Sequence, residues 1–399
     1  MRSLFSSLAG SVAVSTATCL VLITPAFAGG TFVQQYVLPV VSKTAPNGAW
    51  PLWELSKGPT AGAMYGVTPD WGSLQGGTLY SVLSNGSFTK LRDFGARGDV
   101  NGNKPNGPLL FVTNAFYGVT QFGGTNDQGV LYKWNSGSGY QVVSNFGGGT
   151  AGSNPSGPLL NANDGNVYGT TTAGGACNQG TVFKLAPATN AVSVLYSFCG
   201  SDGSAPMTGV IQATDGNLYG TAYTGGAYSG GTLFRVTLGG VFTQLAAFGS
   251  TATQPKFPSR LIQGQDGLLY GTSYAGGDST FGNGSLFSST LAGAVTVRAA
   301  FINAGMSNPS PYAALNERFT GVFYGVAAGS SAGNVFQFRA SNNSITNIYT
   351  FVYGQASYPQ AGLTLGDDGN LWGNTTDGQN LYIQRAGTIY NIQGLTANP

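Results

Sequence analysis

The chain has 399 residues, of which 64 are Gly and 18 Pro; 42% are hydrophobic, 12% aromatic and only 8% charged, there is no His, and the formal net charge is +2. This much apolar and aromatic material can bury a core, which excludes disorder, and so much glycine disfavours long helices. A net charge near zero supplies no phosphate-neutralising field, which excludes nucleic acid as a partner, and the lack of imidazole removes Ser-His-Asp triads, Cys-His dyads and His-ligated metals.

The first element is a targeting segment. Arg2 supplies a positive start, an apolar stretch runs from Leu8 to Ile23, and Pro25-Ala26-Phe27-Ala28 ends in the A-x-A pattern of a signal-peptidase site. The expected organisation is a signal peptide over 1–28 and a single domain over 29–399, exported to the periplasm or the exterior. Cys19 would leave with the leader, and Thr16-Ala17-Thr18 lacks the large apolar residue expected before a lipidated cysteine. No later stretch approaches the ~20 apolar residues of a membrane span.

A repeat occupies the rest of the chain. An aromatic-Gly pair recurs at Tyr65-Gly66, Tyr117-Gly118, Tyr168-Gly169, Tyr219-Gly220, Tyr270-Gly271, Tyr324-Gly325 and Trp372-Gly373, at spacings of 48 to 54 residues. A second aromatic series follows at Tyr80, Tyr132, Phe183, Phe234, Phe287, Phe336 and Tyr382. A third closes each unit at Phe94, Phe146, Phe198, Phe248, Phe301 and Phe351, and a proline opens each at Pro51, Pro108, Pro155 and Pro158, Pro206, Pro258, Pro311 and Pro359.

The unit from Pro158 to Gly200 shows the local grammar. Leu159-Leu160 begins a strand, Asp164-Gly165 signals a tight turn of type I′, and strands are expected over 166–170, 181–185 and 192–198, with a Gly-rich loop over 173–180. Asp-Gly turns recur at Asp215-Gly216, Asp266-Gly267 and Asp368-Gly369. Four antiparallel strands repeating every ~50 residues predict a seven-bladed β-propeller of four-stranded antiparallel blades; an open β-solenoid is the alternative. Segment 31–39 resembles a fourth strand lacking its unit, and 388–392 could be the fourth strand of the last unit, so either chain end, or both, could close the ring.

The string Leu218 to Phe234, of the form LYGTxxxGGxxxxGTLF, resembles the GloVer-type tandem repeat of bacterial exported proteins, as do Asp215 to Gly220 and the strand ending Leu195 to Phe198. The resemblance is strongest in units three to five; Ala327-Ala328-Gly329-Ser330 lacks the Gly-Gly, and Trp372 replaces the tyrosine. It implies a secreted or surface-displayed repeat protein and carries no catalytic residues. Members often end in an anchoring segment, and the ending Leu395-Thr396-Ala397-Asn398-Pro399 without one favours free secretion.

Candidate chemistry is sparse. In an up-and-down blade Cys177 and Cys199 arrive at the same end, so a disulfide is expected, as export permits. The chain has only two glutamates, Glu54 and Glu317, near the first strands of units one and six; meeting across the axis, they or an opposing Asp would make the acidic pocket of a glycosidase or lyase. Asp99-Val100-Asn101-Gly102-Asn103 has alternate-oxygen spacing but lacks the terminal Glu of a calcium loop, Arg97-Gly98-Asp99 recurs often by chance, and no metal or cofactor is expected. Sequons stand at Asn85, Asn283, Asn342 and Asn374. Trp71, Phe122, Tyr223 and Tyr274 lie on the loops expected to share one face of the ring, where aromatics among small polar residues suit a sugar or a protein. The reading is therefore a secreted binding protein for a glycan or cell-surface protein, with the carbohydrate-active enzyme and a purely structural envelope protein as alternatives.

Overall fold

A computed structural model describes residues 30–38, 45–277, 283–304, 314–329, 332–353, 356–376 and 387–395. Residues 1–28, Pro311 and Tyr382 lie outside them. The described strands form seven antiparallel sheets, the blades of a β-propeller. Blade 3 shows the pattern: Ser153–Asn161, Val167–Ala173, Thr181–Ala186 and Ala191–Ser197 pair in chain order from the axis outward. In blades 2 and 5 the innermost strand is split, into Asn103–Pro105 with Leu110–Val112 and Lys256–Pro258 with Ile262–Gln263.

Cross-strand register explains the aromatic-Gly pair. Gly169 lies opposite Phe183, Gly118 opposite Tyr132, Gly220 opposite Phe234, and so on round the ring. The third-strand ring lies over the glycine, so closely that a Cβ on Gly169 would sit 2.4 Å from Phe183 Cζ. The glycine is a seat for a ring, and the demand is for space rather than for unusual dihedrals. In blades 3 to 5 the tyrosine of the pair turns back to the hairpin: its hydroxyl donates to the aspartate four residues earlier, Tyr168 to Asp164 Oδ2 at 2.7 Å, Tyr219 to Asp215 at 2.8 Å and Tyr270 to Asp266 at 2.7 Å. The Asp-Gly turns depart from the expected type I′. Gly165 has φ 77°, whereas Asp164 does not enter the left-handed region, and Gly165 N–H donates to Ala162 O. This is a type I turn followed by a left-handed glycine, and it leaves the carboxylate free to receive Asn166 N–H and the tyrosine.

Blades are joined by the third aromatic series. Phe198 of blade 3 meets Phe234 of blade 4 edge-on at 5.1 Å, as Phe146, Phe301 and Phe351 meet the third-strand ring of the following blade, while Phe94 and Phe248 reach theirs at a tilt. Among the described residues, the unit's proline packs on the glycine before the preceding blade's third strand: a Cβ on Gly129 would come 2.6 Å from Pro155 Cδ, and one on Gly180 2.6 Å from Pro206 Cδ. By this criterion the proline of unit two is Pro105, which faces Gly77, and not Pro108.

Both chain ends close the ring. In blade 7, Thr364–Leu365, Leu371–Thr375 and Thr388–Gln393 are strands one to three, and the N-terminal Thr31–Val37 is the fourth. Segment 388–392, expected as a possible fourth strand, is thus the third, and the ring opposite Gly373 is Tyr390 rather than Tyr382. Leu38 takes the place of the missing seventh phenylalanine. It is fully buried, and its N–H donates to Gly387 O as Phe198 N–H donates to Gly180 O.

Candidate binding site at the propeller axis

Strand order fixes the faces. The Asp-Gly turns and the outer hairpins emerge on one face; the loops between second and third strands and the connections between blades emerge on the other. The hairpin face is stitched by polar side chains: Gln212 Nε2 donates to Asn163 Oδ1, Gln263 Nε2 to Thr214 Oγ1, and Lys57 pairs with Asp367 at 2.9 Å. The loop face opens at the axis into a cavity of about 450 Å³.

The cavity is built from the residues that follow each unit's proline. Leu52-Trp53-Glu54 follow Pro51, Asn106 follows Pro105, Ser156 follows Pro155, Met207-Thr208 follow Pro206, Ser259-Arg260 follow Pro258, and Gln360-Ala361-Gly362 follow Pro359; Gln121 and Thr172 join them from second strands, and Tyr223 from just after one. The proline fixes where each segment enters, and the residue before it is held in the left-handed region, as at Asn154 (φ 52°), Ala205 (φ 52°) and Phe257 (φ 57°). That conformation is costly for a residue with a side chain, and here an N–H to the preceding blade supports it: Phe257 N–H donates to Gly230 O at 2.8 Å and Asn154 N–H to Gln128 O at 2.9 Å. The wall is a rigid ring whose side chains differ from blade to blade.

Two charges line it. Arg260 Nη1 donates to Glu54 Oε1 at 3.3 Å, with the side chains 30% and 13% exposed. Glu54 belongs to blade 1 and Arg260 to blade 5, so they meet only over the axis. Tyr223 and Phe257 form an aromatic corner beside them, ring centroids 5.3 Å apart. Burial, with the neighbouring Tyr274 hydroxyl, raises the Tyr223 hydroxyl above its ordinary range.

The sequence-derived candidates separate. Tyr223 lines the cavity, and Tyr274, 37% exposed, occupies the equivalent position one blade on. Trp71 packs with Tyr36 and Phe88 against Leu38, Ala45 and Ala49, and Phe122 lies under the Arg97 guanidinium at 4.7 Å; neither lines the cavity. Cys177 and Cys199 are disulfide-bonded, Cα atoms 5.0 Å apart. The paired-carboxylate expectation fails. Glu54 faces a guanidinium, while both Glu317 oxygens accept N–H groups on the hairpin face, from Gln265 and Gly321. Asp99 receives Asn101 within its own turn, and no three His, Cys, Asp or Glu residues group to hold a metal among the described residues. Asn374 is buried and donates to Trp53 O at 2.9 Å, so this sequon closes the ring seam.

Trp53, Phe257 and Arg260 were not singled out from the sequence. The signal lay in the residues flanking each proline: Phe257 precedes Pro258 while Trp53 and Arg260 follow theirs, and Glu54 and Arg260 are the charges among the residues that follow.

The model of the Gloeobacter/Verrucomicrobia repeat matches residues 27–163, 57–280 and 137–332. No curated protein matches the chain. Among solved structures, the extracellular domain of BT4673 from B. thetaiotaomicron is similar at 12% identity and a TM-score of 0.57, over 90% of this chain and 39% of that one. PorZ of Porphyromonas gingivalis, a bacterial surface component of the type-IX secretion system, is similar at 12% identity and a TM-score of 0.54, over 89% of this chain and 48% of PorZ. This chain therefore spans less than half of either, and at such identities the likeness is one of fold.

Proposed function

This chain belongs to the Gloeobacter/Verrucomicrobia repeat family, and from that premise we propose that it is an exported, non-catalytic recognition protein that receives a glycan or a partner's surface on its loop face. The observation that carries the reading is the axial cavity: a uniform frame in which the side chains that vary between blades converge on one opening, with two opposite charges and an aromatic corner. Concave sites with a few convergent polar groups are the usual form of ligand sites. The disulfide supports an exported setting, and no helix among the described residues is long and apolar enough to cross a membrane. The rim aromatics Tyr223 and Tyr274 extend the surface outward, with Trp71 and Phe122 further out on the same face.

The test is a screen of envelope glycans and surface proteins against the chain lacking residues 1–28, repeated with Tyr223→Ala and Tyr274→Ala. At least one class should bind and lose affinity with Tyr223→Ala. Ligands bound equally by both variants would move the site off this face.

A further inference from the structure

Building on the recognition role, we infer that the axial cavity holds a neutral sugar ring by two adjacent hydroxyls, one donating to Glu54 and the other accepting from Arg260. Three observations lead there. The first is charge. A carboxylate and a guanidinium 3.3 Å apart cancel for a ligand carrying net charge of either sign, because what one attracts the other repels at nearly the same distance. They do not cancel for a neutral group that can donate and accept side by side. The contact is also incomplete: charge-assisted N–H···O bonds close to about 2.7–2.9 Å and are often bidentate with Arg, whereas this one is single and long, and Arg260 Nε has no partner among the described residues.

The second observation is the direction of the neutral polar groups. Ser156 Oγ donates to Met207 O, Thr172 Oγ1 to Asn154 O, and Asn106 Nδ2 to Pro155 O. The two hydroxyl hydrogens and one Asn106 N–H are committed to the chain, which leaves the hydroxyl lone pairs, the Asn106 amide oxygen and its second N–H for a ligand. With Glu54 as acceptor and the Gln121 and Gln360 amides and Arg260 also lining the cavity, the wall offers acceptors and donors side by side, and its neutral complement is a ligand whose O–H groups both donate and accept. The third observation is the aromatic corner of Tyr223 and Phe257, an apolar surface for the C–H face of a pyranose. Phe257 is held by its left-handed backbone and its N–H to Gly230, so its position is set before a ligand arrives and little ordering entropy opposes binding.

The experiment is calorimetric titration of the chain lacking residues 1–28 with hexasaccharides of glucose, mannose and galactose, with hexagalacturonate, and with free glycine and alanine. A neutral hexasaccharide should bind, and Glu54→Gln and Arg260→Gln should each weaken it about 10- to 100-fold. Hexagalacturonate should bind wild type at least tenfold more weakly than the neutral sugar and should gain affinity with Glu54→Gln. Thermal melts and near-ultraviolet circular dichroism check folding; the Glu54→Gln/Arg260→Gln double variant leaves no unpaired charge and supplies a folded comparison if either single variant does not fold. Preference for the uronate, binding of the amino acids dependent on both charged residues, or neutral-sugar binding indifferent to both substitutions would each overturn the assignment while leaving a recognition role on this face intact. That role falls separately, if the envelope screen returns only ligands indifferent to Tyr223→Ala.

Discussion

Replacing Gly169 with Ala tests the ring-on-glycine principle that builds all seven blades. The new Cβ would lie 2.4 Å from Phe183 Cζ, and 2.8 Å from both Phe183 Cε1 and Leu159 Cδ2. Carbon atoms rest at about 3.5–4.0 Å, so the ring would have to retreat by more than ~1 Å. It has nowhere to go. Phe183 is fully buried, and Phe146 of the preceding blade stands edge-on to it at 5.2 Å. Overpacking of this kind costs roughly 1–3 kcal/mol, and stiffening the unfolded chain returns about 0.4–1 kcal/mol, so a net loss of about 1 kcal/mol is expected. Urea unfolding followed by fluorescence measures it, with the m-value watched for loss of two-state behaviour. The decisive comparison is a double-mutant cycle with Phe183→Leu, whose smaller side chain leaves room for the methyl; the Gly169→Ala penalty should shrink there by at least ~0.5 kcal/mol. Gly165→Ala is the control. That glycine has φ 77° and open space around it, so its penalty is dihedral, about 1–2 kcal/mol, and should not depend on residue 183. A Gly169→Ala chain as stable as wild type, or a penalty unchanged by Phe183→Leu, would refute the steric account.

Three further outcomes are expected. Phe32, which stacks on Tyr349 at 4.3 Å and touches Phe351 and Tyr390, anchors the N-terminal strand in blade 7; Phe32→Ala should cost about 3–5 kcal/mol and speed proteolysis within Thr31–Val37, and a stable, protease-resistant variant would mean that the C-terminal strands close the ring alone. Reduction of the Cys177–Cys199 bond, or Cys199→Ser with Cys177→Ser, should lower unfolding stability by about 3 kcal/mol for its 22-residue separation, read as a shift in urea midpoint that reductant no longer produces in the double variant. Asp164 is pushed up by burial but pulled further down by Asn166, Tyr168 and Lys184, to about 2; a carboxyl held below its unfolded value near 3.9 contributes stability above about pH 4 and loses it as pH falls toward 2. The urea midpoint should therefore drop across that window, and Asp164→Asn should flatten the slope; an identical slope in both proteins would remove the Tyr168–Asp164 hairpin bond from the account of acid stability.

Much of this molecule was legible because its units are local and nearly independent. Tyr168-Gly169, Phe183 and Phe198 are punctuation in one strand set, and each is repeated by the same neighbours in the next unit, so sequence period maps directly onto blade number. The misreadings occurred where repetition lapsed. Pro108-Leu109-Leu110 matches Pro158-Leu159-Leu160 in sequence, whereas the packing of Gly77 selects Pro105. Tyr382 lies 10 residues after Trp372 and Tyr390 lies 18, against 15 in each of units one to four, and register opposite Gly373 selects Tyr390. The turn type departs for another reason: Ala162 and Asn166 bracket three residues, which a type I turn closed by left-handed Gly165 spans, whereas type I′ needs a two-residue loop.

The amino-acid order alone determined the blade: strand periodicity, a glycine wherever a ring must be seated, an aspartate wherever a hairpin must turn and hold a tyrosine, and a phenylalanine at each junction are all interactions within some fifty residues or between consecutive units. Tertiary structure alone decided the rest, because ring closure joins residues that no local pattern connects. It made Thr31–Val37 the outer edge of the last blade, placed Leu38 in a phenylalanine's position, and brought Glu54 to Arg260 across 206 residues. It left Glu317 on the opposite face, since a side chain's distance from the axis and the end at which it emerges depend on its place within the blade and not on its residue type.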